Sequence, residues 1–507
     1  MNIKNIKTYI LSGILALSMS SCLDKYPEDS IRMDQAINTV DDMDKLVYGI
    51  YDSFKSSALY SGNLTILPDL QADFVYCVKG NSNAYGDIYR WKDIKATNTD
   101  IESVYGELYG VINTANFLLD NVDKVKANTN SDKELDKLEQ YEGEAYFARA
   151  LAYSELIKCF CKAYDSDEQA AKELGVVLTE HYYGNEPQKR ASLKESYDFV
   201  LRDLDKAAEY LKVDEDFTGT LYDEIYFNEY ACHALRARVS LYMHRWDDAI
   251  KYASKVIDSK YYVLASCTQK IGNTSYYQYQ WTAGKSTEGI WKVGFTVNSY
   301  GGALGTIFDN YNYVSYRPDY VPETWVINSF DANDLRAAAI FTTRTTGYEH
   351  GLQWPLLSKY FGDAEFLNNN ILHVHQPMVF RLSEQYLIRA EAYAMNGEYG
   401  KAGKDISTLR TARYSSYGGN TSMSDESSAM KIIEAERVKE LYMEGFRLND
   451  LKRWHKGFER KAADQPAANF VQSSLKVEKD DPLFVWPIPQ HELEAPGSEI
   501  QPNESNK

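Results

Sequence analysis

The chain has 507 residues, of which 44% are hydrophobic and 13% aromatic, and its formal net charge at pH 7 is −18. This composition excludes a largely disordered chain, and the length allows two or three domains or a single large unit. The negative charge argues against a nucleic-acid-binding surface, because phosphate binding requires clustered Lys and Arg and no basic tract occurs. The six cysteines lack the spacing of a zinc site or of a disulfide framework.

The N-terminus has the pattern of a secretory signal that ends in a cysteine. Two lysines precede an apolar run over residues 9–19, which is too short to remain as a membrane-spanning anchor. The sequence MSSC, ending at Cys22, is similar to a bacterial lipobox, although Met19 stands where such motifs usually carry Leu. The similarity predicts a signal peptide over residues 1–21 and acylation of Cys22. The alternative is ordinary signal cleavage, with the cysteine incidental.

Lipidation would anchor the mature chain to a membrane without spanning it. Three acyl chains on one residue give stable attachment, since each buried methylene contributes about 0.8 kcal/mol and a single chain is only marginal. Residues 22–40 are then a lipidated polar tether. No later apolar run approaches the roughly 20 residues that a transmembrane helix needs, so the folded body is expected in the aqueous phase beside the membrane.

The region over residues 41–260 is predicted to be helical. Asp41 and Asp42 precede apolar residues at helical spacing from Met43 to Phe54, and acidic residues are favoured at the start of a helix. A second apolar stripe runs over residues 104–125. Both patterns are typical of helices that bury one face.

The most informative internal feature is a repeat. Residues 235–249 align without a gap onto residues 388–402, and both copies have the pattern of a helix, a tight turn and a second helix. An aromatic residue three positions before the closing alanine lets two antiparallel helices approach closely, as in tetratricopeptide hairpins. A weaker third copy begins near Ala148, with residues 193–211 as its partner helix. The fold is therefore predicted to be mostly α, with stacked helix pairs forming a right-handed scaffold.

A different pattern interrupts this scaffold over residues 261–372. Gly, Asn, Tyr and Trp cluster there, as in YYQYQW over residues 276–281, and such composition is typical of loops. This region is predicted to be a long, irregular, loop-rich insertion that carries the ligand surface. Residues 373–507 form the C-terminal region, which contains the last repeat.

The stretch ERVKELYMEGFRLNDLKRW, over residues 436–454, is densely charged. A continuous helix would place the carboxylates of Glu440 and Glu444 on one face, as a paired acid and base would require. We favour a structural interpretation, in which these charges pair along the segment or with neighbouring helices and Gly445 marks a break or a close-packing point. No Gly-x-Ser-x-Gly, His-Glu-x-x-His or Walker motif supports catalysis.

Taken together, five features resemble the SusD/RagB family of outer-membrane lipoproteins of Bacteroidetes. They are the lipobox at Cys22, the interrupted repeats, and the sequences over residues 382–392, 436–454 and 485–490. The resemblance covers essentially the whole mature chain. Within it, the charged stretch is the family's structural signature, represented here by Glu440, Glu444, Gly445, Arg447, Asp450 and Trp454.

The resemblance implies a nutrient-binding subunit that is lipid-anchored at the surface of the outer membrane. Its partner would be a SusC-like TonB-dependent transporter, and its ligand an oligosaccharide. The family has no catalytic residues, and no cofactor or metal ion is implied. One branch, resembling RagB, handles peptides instead, so a peptide ligand is the main alternative.

A glycan site requires flat aromatic rings that stack on sugar faces and polar neighbours that bond hydroxyl groups. Two segments satisfy this requirement, over residues 73–91 and 276–281, and in the family ligands usually meet loops from these two zones. The candidate ligand contacts are Trp91, Tyr85, Asn81, Tyr279 and Trp281. For each aromatic candidate, the alternative is a ring that packs its loop onto the scaffold or contacts the transporter.

Two further functions stay open at this point. A glycoside hydrolase using Glu440 and Glu444 is a distant alternative, because its two carboxylates must face each other across a cleft. A tetratricopeptide adaptor that docks only other proteins is the third class. Binding measurements on glycans separate it from the nutrient-binding interpretation.

Overall fold

The computed structural model describes residues 36–92, 94–184, 188–212, 224–348, 353–461 and 474–507. The signal peptide, Cys22 and most of the tether lie outside the described residues, so acylation of Cys22 stays a prediction. Among the helices in the described residues, none combines the length and the apolar character needed to cross a bilayer.

The helices are α1 (Val40–Ser53), α2 (Asn63–Gln71), α3 (Gly86–Tyr89), α4 (Thr99–Ala127), α5 (Asp132–Phe160), α6 (Asp167–Ala170), α7 (Leu193–Tyr210), α8 (Glu229–Tyr242), α9 (Trp246–Ser259), α10 (Tyr276–Thr282), α11 (Thr306–Asp309), α12 (Thr324–Asn328), α13 (Arg336–Ile340), α14 (Ala364–Leu367), α15 (Leu382–Met395), α16 (Tyr399–Arg413), α17 (Glu426–Glu440), α18 (Arg447–Arg453) and α19 (Gln490–Glu494). Short 3₁₀ helices cover Ser358–Tyr360, Pro482–Phe484 and Glu504–Asn506.

The strands are β1 (Val75–Cys77), β2 (Leu174–Val177), β3 (Arg190–Ser192), β4 (Lys270–Ile271), β5 (Thr274–Ser275), β6 (Gly289–Lys292), β7 (Tyr320–Pro322), β8 (Phe341–Thr345), β9 (Gln353–Leu357), β10 (Met378–Arg381), β11 (Phe458–Arg460) and β12 (Leu475–Val477). They form antiparallel two-stranded pairs: β1 with β7, β2 with β3, β4 with β5, β6 with β10, β8 with β9, and β11 with β12. Helices account for about 51% of the described residues, so the prediction of a mostly α fold is confirmed.

The first predicted helix forms where its sequence signals lie. Thr39 caps α1 in a capping box with Asp42, and Asp41 also lies in the first turn. Met43 and Ile50 of the predicted apolar stripe are buried on the inner face. The second stripe is part of the long helix α4, which Asn98 caps by accepting from the N–H groups of its first turn.

The repeat is confirmed as two stacked helical hairpins. Helices α8 and α9 pack against each other, as do α15 and α16, and α9 packs against α15 so that the two hairpins adjoin. The closing alanines, Ala249 and Ala402, are fully buried between helices, which explains why a small residue stands at both positions. The weaker third copy is also confirmed, because α5 packs along α7 and α7 contacts α8.

The region over residues 261–372 is more ordered than its composition suggests. It contains short helices and strands, and two strand pairs join it to the rest: β1 with β7 and β6 with β10. Trp291 of β6 packs in the main hydrophobic core, with its ring 5.5 Å from that of Phe54 and 4.9 Å from that of Phe227. The insertion is thus part of the packed body rather than a loose appendage.

Candidate ligand-binding site

The pairing of β1 with β7 brings two distant loops together. Cys77 lies opposite Tyr320 in the register, so the loop that follows β1 meets the loop that precedes β7. The backbone N–H and the hydroxyl of Ser82 both donate to the Asp319 carboxylate, at 2.5 and 2.8 Å. The Tyr320 hydroxyl donates to the Ala84 carbonyl at 2.6 Å. These bonds hold the two loops in one arrangement.

A third loop completes the surface. Thr346 forms an isolated bridge with Tyr316, and the N–H of Gly347 donates to the Tyr316 carbonyl at 2.8 Å. The Tyr348 hydroxyl donates to the Pro318 carbonyl at 3.0 Å. We call the area formed by residues 79–85, 311–317 and 344–348 the loop surface.

Aromatic rings form the middle of the loop surface. Tyr311 and Tyr316 stack with their ring centroids 4.4 Å apart and their planes 22° apart. Tyr313 lies beside them, 5.8 Å from Tyr311, and 58% of its surface is exposed. Its hydroxyl donates to the Asn370 carbonyl at 3.2 Å. The stack therefore supports an open ring whose hydroxyl end is also fixed.

The backbone of these loops adopts conformations that are unfavourable for residues with side chains. Tyr313 has φ of 67°, Tyr85 of 54° and Asn83 of 67°, all in the left-handed region that few residues other than glycine occupy. Each such residue costs about 1–3 kcal/mol and persists only where surrounding contacts impose it. Strain of this kind concentrates at ligand-binding sites, which marks the loop surface as a functional candidate.

Two arginines flank the rings. The guanidinium carbon of Arg344 lies 5.2 Å from the ring centroid of Tyr316, and that of Arg317 lies 5.8 Å from the ring centroid of Tyr348. Arg317 is exposed and Arg344 half-buried. Because guanidinium groups donate several hydrogen bonds in one plane, this arrangement can orient a polar ligand beside an aromatic face.

Two of the predicted contact residues lie on the loop surface. Asn81 is half-buried, donates from its amide to the Val78 carbonyl at 2.7 Å, and accepts from the N–H of Asn83 at 2.8 Å. Tyr85 is half-buried against the core and precedes α3. Burial raises the pKa of Tyr85. Contact of these residues with a ligand stays a prediction.

Trp91 requires a correction, because only 9% of its surface is exposed. Its indole N–H donates to the Gln71 carbonyl at 2.6 Å, and its ring packs against Phe458 and Phe484 at 5.7 and 5.1 Å. The ring therefore joins the loop to the C-terminal region and offers no face to a sugar. The alternative of a packing aromatic is the one that the structure supports.

Trp281 requires the same correction, since 2% of its surface is exposed and the Lys359 ammonium lies 3.9 Å from its ring centroid. Tyr279, on the same helix, is half-buried. This helix, α10, packs against α13 and the Ser358–Tyr360 turn. The other predicted zone, over residues 73–91, is bound through Ser82 to Asp319 instead. The two predicted zones thus contact different parts of the fold, and Tyr279 as a ligand contact stays a prediction.

The sequence interpretation missed Tyr313 and Arg344. Tyr313 falls in the sequence YNYVSY over residues 311–316, where three tyrosines in six residues are the signal that could have indicated it. Arg344 has no local signal, because it approaches Tyr316 only through the bridge at Thr346. Side chains from three chain-distant loops meet here, and a single sequence does not reveal such a meeting.

A second concave region, the side groove, lies between α1 and the chain that follows β6. It encloses about 730 Å³. The exposed rings of Tyr48 and Tyr226 stand at its rim, and Trp291 lies at its floor with its indole N–H bonded to the Ile225 carbonyl at 3.1 Å. Tyr226 meets Tyr51 edge-on. This groove is the competing location for a ligand.

The paired carboxylates of the charged stretch are enclosed by cations. Glu440 accepts from Arg336 at 2.9 Å, Arg381 at 2.6 Å and Arg413 at 2.8 Å, and it is fully buried. Burial alone would raise the pKa of Glu440, but the three guanidiniums outweigh it and hold the pKa well below its usual range. A general acid needs a raised pKa and access to substrate. The geometry therefore does not support use of this residue in glycoside hydrolysis.

The remaining signature residues serve the same structural purpose. Glu444 accepts from both Arg381 and Lys359. Gly445 has φ of 83° and separates α17 from α18, which confirms the predicted break. Arg447 pairs with Asp73 and Trp454 with Glu391, both outside the segment. Asp450 pairs with Arg437 across the break and with Arg453 within α18.

Comparison with known proteins gives matches to families and to structures. The SusD family model matches residues 341–503, and a model described as starch-binding, associating with outer membrane, matches residues 22–241. No curated protein sequence matches the chain.

Several solved structures share the fold. A SusD superfamily protein from Bacteroides thetaiotaomicron aligns with a TM-score of 0.76 at 23% identity, covering 92% of this chain and 99% of its own. A putative sugar binding protein from Bacteroides vulgatus aligns with a TM-score of 0.74 at 23% identity, covering 93% and 100%. Surface glycan-binding protein A from Bacteroides fluxus aligns with a TM-score of 0.66 at 18% identity, covering 92% and 100%.

At these identities the structural likeness shows the fold alone. The two family models add sequence similarity to the family, over residues 22–241 and 341–503. The models and the fold agree, and they agree with the motifs around the charged stretch. The chain belongs to the SusD/RagB family.

Proposed function

We propose that the protein is a lipid-anchored oligosaccharide-binding subunit at the surface of the outer membrane, which captures glycan at the loop surface for a SusC-like TonB-dependent transporter. The family model that describes starch binding and outer-membrane association supports the first part. The lipobox at Cys22 supports attachment through a lipid anchor. The family resemblance supports partnership with a SusC-like transporter.

The observation that carries the ligand class is the exposed ring of Tyr313. An exposed aromatic cluster rimmed by polar groups is typical of a ligand-binding surface. This ring is presented by a strained backbone, supported by the Tyr311–Tyr316 stack and fixed at its hydroxyl. Val314, next to it, is 87% exposed. A sugar ring is a suitable partner, because its axial C–H groups cover an aromatic face while its hydroxyls bond to nearby polar groups.

Polar groups around the ring can supply those bonds. Arg344 and Arg317 lie on adjacent loops, and Asn312 and Asn81 lie within the loop surface itself. The site is open to solvent at Tyr313 and Val314, so it can bind a ligand from one side and leave the rest available for transfer. This arrangement suits capture rather than bond cleavage, which would require carboxylates facing each other across the ligand.

The test is calorimetric titration of the purified protein with a panel of oligosaccharides, using Tyr313→Ala as the variant. Loss of the stacking ring should lower the affinity for the tightest-binding oligosaccharide about tenfold, because an aromatic contact contributes about 1–2 kcal/mol. Tyr183→Ala is a matched control, because Tyr183 is 72% exposed and also has a left-handed backbone, with φ of 44°. Unchanged affinity in the Tyr313 variant would refute the proposed site, and binding of peptides alone would favour the RagB-like alternative.

A further inference from the structure

Arg317 and Arg344 differ from the other arginines in the described parts of the chain. The others form an ion pair or donate a side-chain hydrogen bond; Arg190 and Arg460, for example, donate to backbone carbonyls. Arg317 and Arg344 contact tyrosine rings, and among the described residues neither forms an ion pair or a side-chain hydrogen bond. Two guanidiniums on one surface with no ion pair to a described residue are unexpected in a chain whose net charge is −18.

Two carboxyl groups lie near this surface, and among the described residues neither forms an ion pair with Arg317 or Arg344. Asp309 is buried beneath the loop, and burial raises its pKa to about 8 although Arg344 acts to lower it, so this group is largely protonated at pH 7. Asp319 is buried and is bound by the N–H and hydroxyl of Ser82. In the part of the chain that the structure describes, the N–H donors of both guanidiniums are therefore left for a bound molecule.

We propose that the ligand of the loop surface is an acidic oligosaccharide, whose carboxylate or sulfate groups pair with Arg317 and Arg344 while a sugar ring stacks on Tyr313. This inference rests on the proposed function and adds the charge of the substrate. Guanidinium groups bind planar carboxylates and sulfates through two parallel N–H donors, which gives stronger and more directional bonds than neutral hydroxyls allow.

The location of the charges fits this ligand class. Each guanidinium lies next to a ring on the same surface, so one ligand can engage an aromatic face and a cation together. The tyrosine rings also limit the motion of the arginine side chains, which lowers the entropy lost when they bind an anion. A chain with net charge −18 repels anions at long range, so capture depends on these local cations. Added salt weakens the attraction between an anion and these exposed cations.

The experiment compares three probes of equal length in calorimetric titrations at low and at physiological salt: a neutral galacto-oligosaccharide, an oligogalacturonate and a sulfated galacto-oligosaccharide. The protein is used as the full mature chain. We expect one or both acidic probes to bind at least tenfold more tightly than the neutral probe. Arg344→Gln and Arg317→Gln should each reduce this affinity about tenfold and flatten its salt dependence.

Arg202→Gln is the matched control, because Arg202 is an exposed arginine paired with Glu180 away from the loop surface; it should leave all affinities unchanged. Equal binding of neutral and acidic probes, insensitive to both arginine variants, would overturn the inference and leave oligosaccharide binding intact. Failure of every saccharide to bind would refute the proposed function itself. Binding of an acidic peptide in place of the saccharides would also overturn the inference.

Discussion

Arg381 shows how single side chains organise the interior of this protein. Its guanidinium contacts the carboxylates of Glu288, Glu440 and Glu444, which come from two separate segments of the chain. A buried ion network of this kind contributes little net stability compared with apolar packing, but removal of one partner leaves an uncompensated charge in a low-dielectric interior. The charged stretch is therefore intolerant of change for structural reasons.

Glu440→Gln tests whether removal of one partner from the buried ion network destabilises the fold. The substitution removes the negative charge that three arginines share, and we expect the free energy of unfolding to fall by about 3–5 kcal/mol. Chemical denaturation measures it. Glu478→Gln is the control, because Glu478 is an exposed partner of Lys476 and its loss should change stability by less than about 0.5 kcal/mol. If both variants had the same free energy of unfolding, Glu440 would not be needed to compensate the charge of the buried arginines.

Glu144 makes a separate prediction about pH. It is buried in α5, where its carboxylate accepts from Gln140 at 2.9 Å, and burial raises its pKa from 4.5 to about 7. Between these values the folded chain keeps a proton that the unfolded chain has released. The Glu144 contribution to stability is therefore present below pH 4.5 and is lost as the pH rises through about 7.

Glu144→Gln should remove this pH dependence while keeping the hydrogen-bonding shape. Relative to the variant, the wild-type protein should lose about 3 kcal/mol of unfolding free energy between pH 4.5 and pH 8. Urea denaturation of both proteins at several pH values measures the difference, which cancels the other titrating groups. A constant difference across that range would show that the Glu144 pKa is not raised.

At the scale of elements, the helical hairpins follow from local spacing. Ala249 and Ala402 occupy equivalent buried positions, and their small size permits the close approach of α9 and α16 to their partner helices. The aromatic-to-alanine spacing and the tight turns lie within about twenty residues, so one sequence suffices to predict each hairpin. The capped start of α1 was predictable for the same reason.

Ala402→Leu tests the close approach. A larger side chain at this buried position should overpack the interface and lower the unfolding free energy by about 1–3 kcal/mol. Lys404→Leu introduces the same residue on an exposed face of α16 and should change stability by less than about 0.5 kcal/mol. If thermal unfolding placed both variants at the same midpoint, the helices would not be in tight contact at Ala402.

The loop-rich region was predictable only in part. Its irregular character is evident from composition, but α10 was missed although Ser275 and Gln278 have the spacing of a helix cap, with Ser275 accepting from the Gln278 N–H. The burial of Trp91 depends on Phe458 and Phe484, which lie more than 360 residues later in the chain. Such contacts form only in the tertiary fold, so local sequence patterns do not predict them.

At the scale of the whole molecule, a packed helical body carries a small strained surface. Strand β7 pairs with β1 and packs against β9, which pairs with β8. These strands position the three loops around Tyr313. A rigid scaffold with functional loops lets the ligand surface vary without loss of the fold. The family was predictable from the sequence, whereas the arrangement of the ligand surface required the structure.

The central claim is that the loop surface binds an oligosaccharide. A crystal structure of the protein with its tightest-binding oligosaccharide tests this most directly. We expect a sugar ring within about 4 Å of the Tyr313 ring, in contact with the loops over residues 79–85, 311–317 and 344–348. A saccharide seated instead in the side groove, between Tyr48 and Tyr226, with the loop surface empty, would contradict it.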